Sequence, residues 1–120
     1  MVGTFLVSVG ENSIIDLIEA KSPQYKFIAW GTSGTAISKS TTQLPAEAAE
    51  TRVTGTITQP NADQYQVVGM ITCASAGKTI TNAGLFDAVT SGNLLIAGDF
   101  TGIALNVGDK IEFKFLLEII

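Results

Sequence analysis

The amino-acid sequence predicts an all-β domain: a β-sandwich or jelly-roll-like barrel of about six to eight short strands with one short N-terminal helix. Three observations carry this. Turn-forming clusters cut the chain into short pieces after Trp30, at Gly31-Thr32-Ser33-Gly34, Pro60-Asn61-Ala62-Asp63, Thr90-Ser91-Gly92-Asn93 and Asn106-Val107-Gly108-Asp109. The pieces between them are rich in Thr, Val, Ile and aromatic residues, which suit a pleated, half-buried strand. The last piece has a clean period of two: Ile111, Phe113, Phe115, Leu117 and Ile119 alternate with Glu112, Lys114, Leu116 and Glu118.

Residues 1–10 form either an extended arm or the first strand, with Thr4 to Val9 as the candidate segment. Gly10 is expected to break it. Asn12 or Ser13 can then cap a helix by accepting from orphan backbone N–H groups. Ile14, Leu17 and Ile18 fall on one face at helical spacing. Pro23 ends that helix. Tyr25 to Trp30 reads as a strand. Residues 35–50 are ambiguous: Pro45 can open one helical turn over 44–50, or the stretch is an irregular crossing loop. Strands follow at Arg52–Thr58, Gln64–Cys73, Thr79–Phe86, Leu94–Ala97, Phe100–Leu105 and from Ile111 onward. Alternation places Tyr65, Val67, Gly69, Ile71 and Cys73 on one side of their strand. It likewise puts Ile80, Asn82, Gly84 and Phe86 on one side of the next. Phe113 and Phe115 are expected to bury most of their rings.

The chain has 120 residues and reads as a single β domain over 1–120, without linker or internal repeat. Hydrophobic residues make up 46% and charged residues 15%, against roughly 25% charged in an average soluble protein. So few charges on a small domain predict that other subunits cover part of its surface. The formal net charge is −4 and Lys and Arg are scattered, which argues against nucleic acid and anionic membranes as partners. There is no histidine, so the commonest general base and metal ligand is missing. Cys73 is the only cysteine. The N-terminus lacks a basic signal-peptide region, and no apolar run approaches the roughly 18 residues of a membrane span. Synthesis in a bacterial cytoplasm is expected.

Simpler readings account for the individual motifs. Gly77-Lys78 resembles the end of a phosphate loop, but position 72 is Thr where the motif needs Gly. Gly31-Thr32-Ser33-Gly34 has no His to activate a serine. Ser38 or Ser40 beside Lys39 reads as a solvated loop. The carboxylates Asp63, Asp87, Asp109, Glu112 and Glu118 sit at turns or on polar strand faces, with Asp99 a mild exception. Trp30, Tyr25 and Tyr65 can make a sugar platform, but an isolated Trp beside a strand end is more often core or interface. No catalytic, cofactor-binding or metal-ligating residues are assigned, no cofactor is expected, and no small-molecule substrate. The candidate interface residues are Phe5, Val7, Val9 and Trp30.

Several segments carry a resemblance. They are Arg52-Val53-Thr54-Gly55, Tyr65-Gln66-Val67-Val68-Gly69, Thr81-Asn82-Ala83-Gly84-Leu85-Phe86-Asp87, Gly92-Asn93-Leu94-Leu95-Ile96-Ala97, and the run from Phe100 to Phe113. With Gly10–Asp16 and Trp30-Gly31-Thr32, the series resembles a family of small tailed-phage virion proteins, often labelled tail-fibre or structural proteins. The resemblance implies a β-sandwich-like virion component that works as an oligomer, and it implies no catalytic residue. Phage decoration (cement) proteins share this size and β-rich character. The absence of repeats and coiled-coil heptads tilts the reading toward a capsid decoration protein that binds the outer capsid surface and stabilises the shell. A tail-associated or tail-fibre structural protein is the alternative. The expected partners are the major capsid protein, or another virion protein, and further copies of the chain in a homotrimer. The expected location is the virion, on the outer capsid surface or the tail.

Overall fold

The first feature departing from the sequence reading is the N-terminus. The computed structural model describes residues 3–120, so Met1 and Val2 of the predicted arm lie outside the described residues. Gly3 to Val7 is an arm that lies in no helix or strand, with extended backbone at Val7. Helix α1 spans Ser8–Ala20, so Val9 is helical and the strand reading of Thr4 to Val9 does not hold. Gly10 sits inside the first turn, where a glycine costs only about 1 kcal/mol relative to Ala. Asn12 and Ser13, the expected caps, lie in the second turn. Val7 occupies the cap position without a side-chain bond, and its carbonyl accepts from the Glu11 N–H at 3.0 Å. Glu11 in the first turn favours this start through the helix dipole. Ile15 is the residue that α1 buries fully.

Seven strands follow: β1 (Phe27–Gly31), β2 (Val53–Thr54), β3 (Thr56–Thr58), β4 (Gln64–Thr72), β5 (Lys78–Phe86), β6 (Leu94–Leu105) and β7 (Lys110–Glu118). They form two antiparallel sheets, ordered β2-β1-β5-β6 and β3-β4-β7. This is the predicted sandwich. Leu94–Ala97 and Phe100–Leu105, read from sequence as separate strands, are one twelve-residue strand. Arg52–Thr58, read as one strand, is divided at Gly55, where the chain passes from the first sheet to the second. That corner closes one side of the sandwich. The Gly55 N–H donates to the Lys26 carbonyl at 2.6 Å, and its Cα packs against Gly69 of β4. The opposite side stays open, because β6 and β7 are both edge strands.

The main core lies between the sheets. Ile28 and Trp30 of β1, Tyr65, Val67 and Ile71 of β4, Cys73, Ile80 and Leu85 of β5 and Leu105 of β6 fill it, with Ile15 entering from α1. The predicted inward set on β4 is therefore correct. On β5 the alternation slips. A register shift between Ile80 and Asn82 moves Leu85 into the main core and turns Phe86 to the other face. There Phe86 joins Ala29 and Leu44 in a second, smaller core with Phe27, Leu94 and Ala97 at its margin. Residues 35–50 make this second core possible. They form the crossing loop, tied to β1 by Ala48 N–H to Trp30 O at 2.9 Å and Thr32 N–H to Ala46 O at 3.1 Å. The first sheet is thus covered on both faces.

β7 keeps its strict alternation, but its inward residues are only partly buried, because the strand lies on the open side. Phe113 touches Trp30 edge-on with ring centroids 6.3 Å apart, and lies 6.4 Å from Phe100 of β6. These rings plug the gap between the two edges. The molecule measures 56 × 28 × 22 Å with a radius of gyration of 15.8 Å. A compact chain of this length has about 13–14 Å, so the protomer is elongated.

Candidate functional site

The buried polar residues come first, because they are where chemistry would have to reside. Glu50 has a side chain only 4% exposed. Its Oε1 accepts from the Trp30 indole N–H at 3.0 Å. Its Oε2 accepts from the N–H groups of Ala74 and Ser75, from the Ser75 hydroxyl and from the Lys78 ammonium. Burial pushes the Glu50 carboxyl up, but these donors outweigh it and hold the group well below the ordinary carboxylate range. Asp87 is also lowered. It accepts from the Asn93 N–H at 2.7 Å, from the Lys21 ammonium at 2.9 Å and from the Asn93 side chain at 3.1 Å. Arg52 is held bidentately by Glu47, donates to the Ala88 and Ser91 carbonyls at 2.8 and 2.7 Å, and lies 3.6 Å above the Phe86 ring.

Each of these groups commits its hydrogen-bonding capacity to its own chain. Glu50 ties the β4–β5 turn to the core, Asp87 closes the β5–β6 turn, and Arg52 fastens the crossing loop to that same turn. Asn82 is the one exception among the described residues. Its Oδ1 is buried without a partner, and the backbone of Gly31 lies against it so closely that a Cβ at 31 would overlap it. A Gly31 Cα–H facing this oxygen makes a weak substitute for a hydrogen bond.

The residues singled out from sequence separate into two groups. Phe5, Val7 and Val9 are 85%, 64% and 76% exposed and lie on the arm and the first turn of α1. Trp30 is 1% exposed and leaves the set of interface residues, since a ring enclosed in its own core presents no surface to another subunit. The same burial removes the sugar platform, because Tyr65 is enclosed as well, its hydroxyl donating to the Tyr25 carbonyl at 2.6 Å. Ser38 and Ser40 bond each other at 2.8 Å. Lys78 pairs with Glu50 at the start of β5, so Gly77-Lys78 is the end of a turn.

Sequence reading missed the free edge of β6. An open groove of about 610 Å³ is bordered by Leu94, Leu95, Ile96 and Ala97 on one side and by Ile37, Ser38, Lys39 and Thr41 of the crossing loop on the other. Leu94 and Ala97 belong to the small core and Leu95 and Ile96 to the large one, so these four residues point to both faces of the sheet. A space bordered by all four runs along the strand's unpaired edge. The Ile37 N–H donates to Asp99 of β6 at 2.8 Å and holds the loop wall beside it. The sequence signal was the uncharged run Leu94–Ala97, which reads equally well as a strand buried in mid-sheet.

With the geometry set, comparison with known proteins places the chain. The family model described as podophage GP4 fiber I protein gp80 matches residues 14–116. The chain belongs to this family. No curated protein and no solved structure matches it.

The gp80 match spans helix α1 from its middle, both sheets and the crossing loop. It includes the Arg52–Phe86 stack, the Asp87 turn and the β6–β7 turn, where Gly108 adopts φ 97° and donates to the Cys73 carbonyl at 2.7 Å. The segment thus holds the residues that fix the sandwich. The gp80 family is one of phage fibre structural proteins, so the chain is a virion component. The fibre description favours the tail-fibre alternative over the capsid-decoration reading preferred from sequence.

Proposed function

We propose that this protein is a non-enzymatic structural subunit of a phage tail fibre, working as a homo-oligomer, with a trimer as the preferred state and another virion protein as its attachment partner. The carrying observation is the gp80 match over residues 14–116, which covers both sheets of the sandwich. The geometry supports the reading in two ways. The protomer is elongated, and the hydrogen bonds of its buried ionic side chains are spent within the chain as staples, including those from Arg52 to Glu47, two residues that border an open pocket of about 430 Å³. Low charge and the exposed apolar side chains of Phe5, Leu6, Val7 and Leu17 fit a chain that assembles with copies of itself.

Copy number and position in purified virions test this. A density map with the chain in fibres attached to the tail, at a few to tens of copies per particle, is the expected result. Hundreds of copies spread over the capsid surface would overturn it and restore the decoration reading.

A further inference from the structure

We propose that the groove along the β6 edge receives the Thr4–Val7 arm of a second copy as an added strand. The inference rests on the oligomeric fibre reading above and names the contact that builds the oligomer. It starts from two unfinished parts of one molecule. The arm lies in no helix or strand and is extended at Val7, and among the described residues its one backbone bond outside helices and strands runs from Glu11 N–H to Val7 O. It offers Phe5, Leu6 and Val7, all more than half exposed, to solvent. The β6 edge is the counterpart. Over its twelve residues it carries one charge, Asp99, and no proline or lysine. Its other guards are two register shifts, one between Ile80 and Asn82 that leaves Phe100 to Gly102 opposite Thr81, and one between Leu85 and Phe86 that leaves Leu95 as an extra residue. A long edge so lightly protected invites pairing.

The fit between the two is specific in length and polarity. Thr4–Val7 and Leu94–Ala97 are both four residues, about 13 Å of strand at 3.3 Å per residue. Gly3 to Gly10 contains no charged residue, which suits a groove whose lining has Lys39 as its one charge. The β7 edge is the poorer acceptor, because Lys110, Glu112, Lys114 and Glu118 stand along it. Added strands gain affinity from main-chain hydrogen bonds and specificity from pockets for alternate side chains. Ile37 and the half-buried Leu94, Leu95 and Ile96 supply such apolar pockets for Phe5 and Val7. One arm covers less than the about 800 Å² per partner of a standard stable interface. Each copy both gives an arm and receives one; passed around three copies, the contact is head-to-tail and becomes stable when they close into a ring.

Cysteine cross-linking tests this on the full-length chain. Cys73→Ala removes the native thiol. On that background one protein carries Phe5→Cys and a second, differently tagged, carries Ser38→Cys in the loop wall. The expected result is a disulfide between the two tagged proteins on mild oxidation, lost when residues 1–6 are removed from an otherwise identical chain. A chain carrying both cysteines should give a covalent ladder that stops at the native oligomer. A monomer-sized disulfide in that chain would show each arm on its own edge and overturn the proposal, as would no cross-link at all. Sedimentation adds a second readout: removal of residues 1–6 should convert the oligomer to monomer while the far-ultraviolet circular dichroism spectrum keeps its β character and the thermal melt stays cooperative. Retention of the full oligomer after this removal also overturns it. The fibre assignment is read separately, from the virion map. A chain found in fibres whose truncated form still assembles refutes the arm alone. A chain absent from fibres whose arm still cross-links refutes the fibre assignment alone.

Discussion

The Trp30 indole N–H donates to Glu50 Oε1 at 3.0 Å, joining the largest core side chain to a carboxylate whose other oxygen gathers the β4–β5 turn. Stability should therefore depend on the charge of Glu50. Its folded pKa, like that of Asp87, lies below the ordinary value. Such groups stabilise the fold fully above the unfolded carboxylate pKa, about 4, and that stabilisation is lost as pH falls below it. The melting temperature should hold from neutral pH to about 5 and then drop. Glu50→Gln should lower it at pH 7 and flatten the acid limb. A Glu50→Gln melt superimposing on the parent at every pH would remove Glu50 from this role.

Removing the cation beside Glu50 tests the same cluster from the other side. Lys78→Ala leaves a nearly enclosed carboxylate without its charged partner, which typically costs about 3–5 kcal/mol. The three remaining donors on Oε2 should hold the loss to the lower end. Urea unfolding gives the value directly.

Arg52→Lys should not behave as a conservative change. The guanidinium meets Glu47 through two parallel bonds, two carbonyls of the β5–β6 turn and the face of Phe86. An ammonium reproduces one or two of these contacts and cannot stack as a plane. A loss of about 2 kcal/mol is expected, from two to three charge-assisted bonds and the stacking contact. In urea, Arg52→Lys unfolding closer to Arg52→Ala than to the parent is the expected pattern.

At the corner, Gly69→Ala should destabilise the protein and Ile28→Val should largely rescue it. A Cβ at 69 would stand 2.8 Å from the Ile28 Cδ1, which Val lacks. Gly55→Ala should not be rescued this way, since its Cβ meets the Val67 side chain and the Val68 carbonyl as well. A double-mutant cycle with about 1 kcal/mol or more of favourable coupling between positions 28 and 69 is the expected reading.

Cys73 should tolerate both Ala and Ser. Its Sγ–H donates to the Ala76 carbonyl at 3.1 Å, so a serine hydroxyl finds an acceptor in place. The buried unpaired hydroxyl that would cost about 1–3 kcal/mol is avoided. Melts of the two variants should agree within a few degrees. A sharp loss for Ser alone would show that the shorter C–O bond does not reach Ala76.

The sequence by itself determined the fold class, the strict facing of β4 and β7, and the polar turns between strands. Those depend on local periodicity and turn chemistry, which each segment carries within itself. The most specific motif was visible as well, though its reason was not. In Asn82 to Asp87 every residue is buried, and the roles of Asn82, Gly84, Phe86 and Asp87 come from distant partners: Ser33 and Gly31, Leu44, Arg52, and Lys21. Only the tertiary structure decided these. It also decided the slip in β5, because a register shift relative to a neighbouring strand leaves no trace in the residue's own period. Trp30 shows the limit most plainly: beside a strand end its type suits core and interface equally, and only Glu50, Phe113 and the covering sheet place it inside. The arm and the β6 edge show the converse. An apolar run looks the same in sequence whether its hydrogen bonds are made or free, since pairing is a property of the neighbour and not of the strand.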